Sequence, residues 1–231
     1  MESHVLKILE DYLAWEELKA HKKYHELTFS EKDELRLEND YDAKYFYKIE
    51  GLTKENALYA DTVISFWTPY TRLLEIEAGW KSYKTIKSLE SLIRQIKSKR
   101  KNDFTESIKQ VNNNIEDFAK LYDTKGNFML LPKRQMNNQR YKITEDRIDL
   151  TLYNCFKDGE LALFFKSENA LKIWIDEQDL NDVFIEGECS QDKINWFVKE
   201  DARGKMISEM NADEIYEYLN NAISLIQRRN K

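Results

Sequence analysis

Basic and amide side chains alternate between positions 133 and 147, and together they could bind an anion. Arg134 and Arg140 carry guanidinium groups, which can hold two oxygens of a phosphate or carboxylate at once. Asn137 and Asn138 can donate and accept directional hydrogen bonds of the kind that base edges require. The sequence therefore predicts a site for an anionic partner within residues 127–149, formed by Asn127, Arg134, Asn137, Asn138, Arg140 and Arg147.

Carboxylates follow the basic residues at once, with Glu145, Asp146 and Asp149 close together. In one interpretation Asp146 and Asp149 orient the arginines of the binding site. In the other they hold Mg²⁺, which binds carboxylates and water without needing histidine. Asp146 and Asp149 would then be the catalytic residues of a nuclease or phosphotransfer enzyme. With 42 acidic residues in the chain, clusters of carboxylates also occur where side chains cap helices or face solvent. We therefore predict a metal site only under the Mg²⁺ alternative.

Histidine, the commonest general base, occurs three times and only in the first 25 residues. His21 and His25 are four residues apart on the predicted first helix, a spacing that metal sites use, but we expect a solvated helix face. A catalytic triad would have to recruit this helix. No glycine-rich nucleotide motif and no CxxC pair is present, so we predict no cofactor.

The net charge of −6 conceals a strong asymmetry along the 231 residues. Residues 1–80 carry a net charge of −7, residues 81–142 carry +9, and residues 143–231 carry −8. The negative net charge of the whole chain argues mildly against nucleic-acid binding, whereas the positive net charge of residues 81–142 favours an anionic partner. The alternative is that the basic part packs against the protein's own acidic parts.

Composition restricts the class of protein further. With 6 Gly and 2 Pro, collagen-like and low-complexity chains are excluded and a turn-rich β-sandwich is disfavoured. No apolar run approaches the roughly 18 residues of a membrane span, and no targeting signal is visible. Cys155 and Cys189 lack CxxC spacing, so we expect two buried free thiols. These features predict a cytoplasmic protein without a membrane partner, and they leave its oligomeric state open.

Periodicity predicts a mainly helical α+β fold, bundle-like, with a small β element in the second half. Helices are predicted over residues 3–25, 57–67, 86–96, 103–122, 167–175, 190–198 and 211–229, and Thr68-Pro69 begins another. The apolar run 128–131, stopped by Pro132, indicates a strand, and residues 161–165 indicate a second one after the Asp158-Gly159 turn. Residues 148–156 fit a helix or a strand. We expect one compact domain over residues 1–231, with residues 1–50 as a candidate N-terminal helical extension.

Three segments together resemble an uncharacterised bacterial family of unknown function. They are residues 61–68 (DTVISFWT), 126–140 (GNFMLLPKRQMNNQR) and 146–152 (DRIDLTL). The resemblance carries no activity with it, but it adds Asp61 and Trp67 as supporting residues of the predicted site.

Residues 126–138 also resemble the GNLTLLP…N segment of HNH-type nuclease domains in modification-dependent restriction enzymes. In those domains the segment belongs to a ββα metal site with a catalytic histidine upstream. Here no histidine lies between His25 and Gly126, so the resemblance implies a non-catalytic relic whose basic residues still contact nucleic acid.

The leading hypothesis is an intracellular bacterial or phage protein that binds a nucleic acid or another anionic partner without catalysis. The first alternative is the Mg²⁺-dependent nuclease or phosphotransfer enzyme. The second is a purely structural, oligomerising helical protein.

Overall fold

The structure is a computed structural model, and it describes residues 3–39, 53, 58–81 and 85–231. Two short strands are present, β1 (Ala60–Thr62) and β2 (Phe128–Leu130). The described helices, besides several single 3₁₀ turns, are α1 (His4–Ala20), α2 (Lys22–Glu26), α3 (Phe29–Asn39), α4 (Trp67–Ala78), α5 (Ile86–Lys97), α6 (Asp103–Tyr122), α7 (Gln135–Thr144), α8 (Ile148–Phe156), α9 (Glu168–Glu177) and α10 (Ala212–Arg229). The prediction of a mainly helical fold with a small β element is confirmed. Among the described helices, none has the length and apolar character needed to cross a bilayer.

The chain divides into two units, the first containing residues 1–57 and 70–123 and the second containing residues 58–69 and 124–231. The expectation of one compact domain, with or without an extension over residues 1–50, stays a prediction.

The first unit is built on α1, α5 and α6, which pack on one another through their apolar faces. Glu116 of α6 caps the start of α1, where it accepts hydrogen bonds from the His4 backbone (2.6 Å) and the Ser3 hydroxyl (3.0 Å). Burial opposes the charge of this carboxylate, yet the hydrogen bonds lower the pKa of Glu116 below its ordinary value. The end of α6 and the beginning of α1 are thereby held together.

The second unit contains the two-stranded antiparallel sheet, in which Asp61 lies opposite Met129. The backbone of Leu130 bonds to two side chains at the end of α9, with its N–H donating to Gln178 (2.6 Å), the residue after the helix, and its carbonyl accepting from the Trp174 indole (2.7 Å). At Gly126 the chain runs so close to α10 that a Cβ would overlap the carbonyl oxygen of Ile226. The glycine is therefore required for close approach and not for a turn.

Helix capping accounts for several confirmed predictions. Ser3, Ser167 and Asn211 each accept a backbone hydrogen bond at the start of α1, α9 and α10. The strand at residues 128–131 is confirmed as β2, and residues 148–156, left open between helix and strand, form α8. Both cysteines are free thiols and Cys155 is buried, but the prediction that Cys189 is buried was wrong, because Cys189 is half-buried with its thiol donating to Asn181 Oδ1 (3.2 Å).

Other local predictions were wrong where tertiary contacts override local pattern. Residues 60–62 form β1 and not part of a helix, because they pair with β2. Residues 161–165 contain a 3₁₀ turn with Leu163 exposed, and the segment after Ser190 is a 3₁₀ turn followed by a single bridge from Ile194 to Phe184. Helix α4 begins at Trp67, so that Pro69 lies inside its first turn, where its missing N–H is tolerated.

Candidate functional site

Helix α7 lies at the centre of the predicted site and presents two different faces. Met136, Arg140 and Thr144 follow one another at intervals of four and are buried. This spacing places them on one side of a helix. The other side is exposed and carries Arg134, Asn137, Asn138, Tyr141 and Lys142. The Arg- and Asn-rich segment therefore divides into an interior part and a surface part.

Arg140 clamps the inner face of α7 to the end of β1. Its guanidinium donates hydrogen bonds to the Asp61 carboxylate and to the backbone carbonyls of Thr62 (3.1 Å) and Val63 (3.2 Å). The Arg140 side chain is fully buried. Burial alone would lower the pKa of Arg140, but the carboxylates of Asp61 and Asp146 outweigh it and raise that pKa above its ordinary value.

Asn127, the residue before β2, holds the segment that follows β1. Its side-chain oxygen accepts from the Ile64 N–H (3.1 Å), and its side-chain amide donates to the Ile64 carbonyl (3.2 Å). Its own carbonyl accepts from the N–H of Val63 (2.6 Å). Asn127 is fully buried, so its directional hydrogen bonds serve the connection after β1.

A second buried ion pair lies at the start of α8. Arg147 donates to both oxygens of Asp149, from Nε (3.1 Å) and from a terminal nitrogen (2.7 Å), and neither side chain is accessible to solvent. The remaining terminal nitrogen of Arg147 donates to the carbonyls of Ala202 (3.1 Å) and Lys205. Arg147 thus ties α8 to the loop that precedes α10.

The turn between α7 and α8 places a second carboxyl group, that of Asp146, near the Arg140 guanidinium. Glu145 and Asp146 both have left-handed backbone conformations, with φ of 47° and 62°. Non-glycine residues rarely adopt this conformation, although Asp tolerates it better than most. The turn directs the Asp146 carbonyl to the Arg140 guanidinium (3.4 Å), while Asp146 Oδ1 and Arg140 Nε are buried without a hydrogen-bond partner.

Two carboxyl groups here share one guanidinium, and Asp61 makes the direct contact. Burial first, and then the charges of Asp61 and Glu145, raise the pKa of Asp146 to about 7 against the opposing effect of Arg140. The Asp146 carboxyl therefore changes charge near neutral pH, well above the ordinary range of an aspartate.

The raised pKa of Asp146 predicts a pH dependence of stability. Because the folded state binds this proton more tightly than the unfolded chain does, the free energy of unfolding should fall as the pH rises from about 4 to about 7, by on the order of a few kcal/mol. An Asp146→Asn variant should lose most of this decline and should be more stable than wild type at pH 8. Urea titrations at pH 5, 6, 7 and 8 measure the effect, with the exposed Asp158→Asn as control. An unchanged pH profile in Asp146→Asn would contradict the assignment.

Besides Asp146 in the turn after α7, the residues predicted from sequence fall into three locations in the second unit. Asp61, Asn127, Arg140, Arg147 and Asp149 are buried and bonded to one another or to backbone. Trp67 is half-buried at the start of α4 and packs edge-on against Phe66 at 5.4 Å. Arg134, Asn137 and Asn138 lie exposed at the outer face of α7. An anion from solvent can reach only this last group directly.

The magnesium alternative would require Asp149 to change partners. Its two oxygens already accept hydrogen bonds from Arg147 and from the backbone of Leu150 (2.8 Å) and Phe197 (3.1 Å). Within the described ranges no group of three His, Cys, Asp or Glu side chains is placed to hold a metal. His21 ends α1 and begins α2 with an extended backbone, so His21 and His25 do not share one continuous helix.

Sequence reasoning missed two residues that organise the unit. Arg229, which is not among the predicted site residues, donates to the carbonyls of Gly126, Phe128 (2.8 Å) and Gln178 (2.8 Å). Arg229 lies on the same inward face of α10 as Ala222 and Ile226, and this helical spacing was the signal that could have identified it. Tyr218 accepts from the Ile148 N–H (3.3 Å) and lies against the Arg147 guanidinium, and nothing in its local sequence indicated this.

Comparison of the chain with protein-family models, with curated proteins and with solved structures gave no match. The resemblances to a bacterial family and to HNH-type domains therefore stay predictions.

Proposed function

We propose that the second unit binds an anionic partner, the phosphate backbone of a nucleic acid, on the outer face of α7. The observation that carries the proposal is the division of α7 into a buried face anchored by Arg140 and an exposed face bearing Arg134, Asn137, Asn138 and Tyr141. The cytoplasmic location expected from the sequence belongs to the same proposal.

The charge of the exposed surface supports an anion. No Asp or Glu occurs between residues 124 and 144, whereas Lys125, Lys133, Arg134 and Lys142 are all exposed. Lysine and arginine at such a surface release counterions from a nucleic-acid backbone, which is the main source of sequence-independent affinity. Residues 124–144 provide exposed cations without any carboxylate between them, although the chain as a whole is acidic, so they can contact a phosphate backbone.

The neighbouring polar and aromatic groups favour a nucleic acid over a simple anion. Asn137 and Asn138 project beside Arg134, so amide groups can contact sugars or base edges while the cations contact phosphates. Tyr141 is 55% exposed, one turn farther along the same face, and its hydroxyl can donate a hydrogen bond to a phosphate oxygen.

The buried clamp supports binding by holding this surface in one conformation. Arg140 bonds α7 to the Asp61 carboxylate and to two backbone carbonyls, so the helix cannot easily rotate or slide. A surface that is already ordered loses less conformational entropy when it binds. The interior arginine and the exterior cations therefore have complementary roles in one binding element.

A charge-reversal variant tests the proposal. Lys133→Glu with Arg134→Glu should weaken binding of a fluorescein-labelled 20-base-pair DNA duplex at least tenfold in 50 mM salt. It should also make the dependence of log affinity on log salt shallower by about 2, because two phosphate contacts are lost. Carboxylates suit the N-terminus of α7, so the fold should tolerate the change.

The matched control is Lys157→Glu with Lys166→Glu, which makes the same charge change at exposed positions of the same unit. Binding that falls equally in both double variants would show a general charge effect and overturn the assignment to α7. Absence of duplex binding by the wild-type chain in 50 mM salt would overturn the proposal and leave the structural, oligomerising alternative.

A further inference from the structure

We propose that the first unit carries a separate site for single-stranded nucleic acid, formed by the cationic turn Lys99–Lys101 and the aromatic pair Trp80 and Phe104. All residues of this site belong to the first unit, whereas α7 belongs to the second. The site combines a stacked aromatic pair with three consecutive cations, a combination that α7 does not have.

Two helix ends place the aromatic pair. Gly79, with φ of 65°, ends α4 in a left-handed conformation, and the Trp80 N–H then donates back to the Leu74 carbonyl (3.0 Å). Asn102 caps α6 through the Thr105 N–H (2.9 Å), which sets Phe104 in the first turn. The two rings stack with centroids 5.9 Å apart and planes inclined by 27°.

The cationic turn is ordered by its own hydrogen bonds. Lys109 donates to the Ser98 carbonyl (2.7 Å), and the Ser98 hydroxyl accepts from the Arg100 N–H (3.1 Å). Thr105 of α6 donates to Gln95 of α5 (2.9 Å), which links the helices on either side of the turn. Lys99, Arg100 and Lys101 project from this fixed connection and are exposed.

The charges of the turn and of the first turn of α6 favour an anionic ligand. Asp103 and Glu106 lie in the first turn of α6, and Glu106 faces Lys109 at 3.4 Å. Lys97, just before the turn, is paired with Glu10 of α1. The three cations of the turn exceed the two carboxylates that follow it, so residues 99–106 carry a net positive charge.

The aromatic component distinguishes a single strand from other anions. Phe104 is 41% exposed and stacks on Trp80, so part of its ring is accessible to an unpaired base. Stacking of this kind needs an unpaired base, which a duplex does not offer, and it tolerates any base. A membrane surface would instead need an apolar face several residues wide, whereas Phe104 is the sole large exposed apolar side chain within residues 98–106.

Binding of labelled oligo(dT) of 20 nucleotides by the full chain, measured by fluorescence anisotropy, tests this site. Phe104→Leu keeps an apolar cover on Trp80 but removes the ring, and it should weaken oligo(dT) binding about tenfold while leaving binding of the duplex unchanged. Replacing Lys99, Arg100 and Lys101 with Gln should make the salt dependence shallower by about 2. The matched control is Phe29→Leu, at a phenylalanine that is 71% exposed in α3 of the same unit.

The outcomes separate this inference from the function proposed for α7. Loss of duplex binding in the α7 variant, together with wild-type oligo(dT) affinity in Phe104→Leu, would overturn the single-strand site alone. Equal loss of duplex and single-strand affinity in Phe104→Leu would also overturn it. So would a Phe104-dependent attachment to phosphatidylserine vesicles without any binding of oligo(dT).

Discussion

An Arg140→Met variant should lose about 3–5 kcal/mol of unfolding free energy, because it leaves a buried charge without its partner. The Asp61 carboxylate would remain beside β1 with no guanidinium to bond, and the carbonyls of Thr62 and Val63 would lose a donor. Methionine fills a similar length of the cavity, so lost charge compensation is the main cause and lost volume is a minor one.

The pH distinguishes this cause from a packing defect. Burial raises the pKa of Asp61, and loss of Arg140 raises it further, since the guanidinium opposes that shift. Protonated Asp61 needs no counter-charge, so the variant should lose less stability at pH 5 than at pH 8. Urea unfolding followed by circular dichroism at the two pH values measures the difference.

Two controls accompany the Arg140→Met measurement. Arg134→Met, on the exposed face of the same helix, should change the unfolding free energy by less than about 0.5 kcal/mol. Asp61→Asn combined with Arg140→Met removes both charges and should recover part of the loss at pH 8. A double variant as unstable as the single one at pH 8 would contradict the role of the unpaired carboxylate.

Local signals in the sequence were sufficient for the parts of the fold that depend on local physics. Ser3, Ser167 and Asn211 were recognised as helix starts because a cap bonds to a backbone N–H only three residues away. The strand at β2 was recognisable because Pro132 stops a short apolar run. The wrong helix over β1 shows the limit, since its strand conformation comes from pairing with residues more than 60 positions away.

The candidate site was predicted as one set of residues, whereas the structure divides it. Arg134 and Arg140 are the same residue type in the same polar segment. Only the helical period of α7 shows that one arginine is exposed and the other is buried. No helix was predicted over residues 133–147, so the interval of four from Met136 to Arg140 to Thr144 could not be used. The partner of Arg140 lies 79 residues earlier, a separation that no local pattern reports.

The Arg147 pair should be as important as the Arg140 pair, and its geometry makes a sharper test. Arg147→Met should cost about 3–5 kcal/mol, because Asp149 keeps only the backbone donors of Leu150 and Phe197. Arg147→Lys keeps the positive charge, but an ammonium group cannot bond both Asp149 oxygens and two distant carbonyls in the same fixed plane. We expect Arg147→Lys to lose about half as much unfolding free energy as Arg147→Met. Because the lysine keeps the charge, this loss would be due to the missing planar fork of arginine.

Removing both charges separates the pair from the donors that surround it. Arg147→Met with Asp149→Leu leaves no buried charge, yet the Phe197 N–H loses its acceptor, which costs about 1–3 kcal/mol. The double variant should therefore be more stable than Arg147→Met alone and less stable than wild type in urea titrations at pH 7. Full recovery would mean that Asp149 serves only to neutralise Arg147, and no recovery would mean that its backbone hydrogen bonds are its main contribution. The intermediate value is expected because one carboxylate holds the arginine and the loop at Phe197 at the same time.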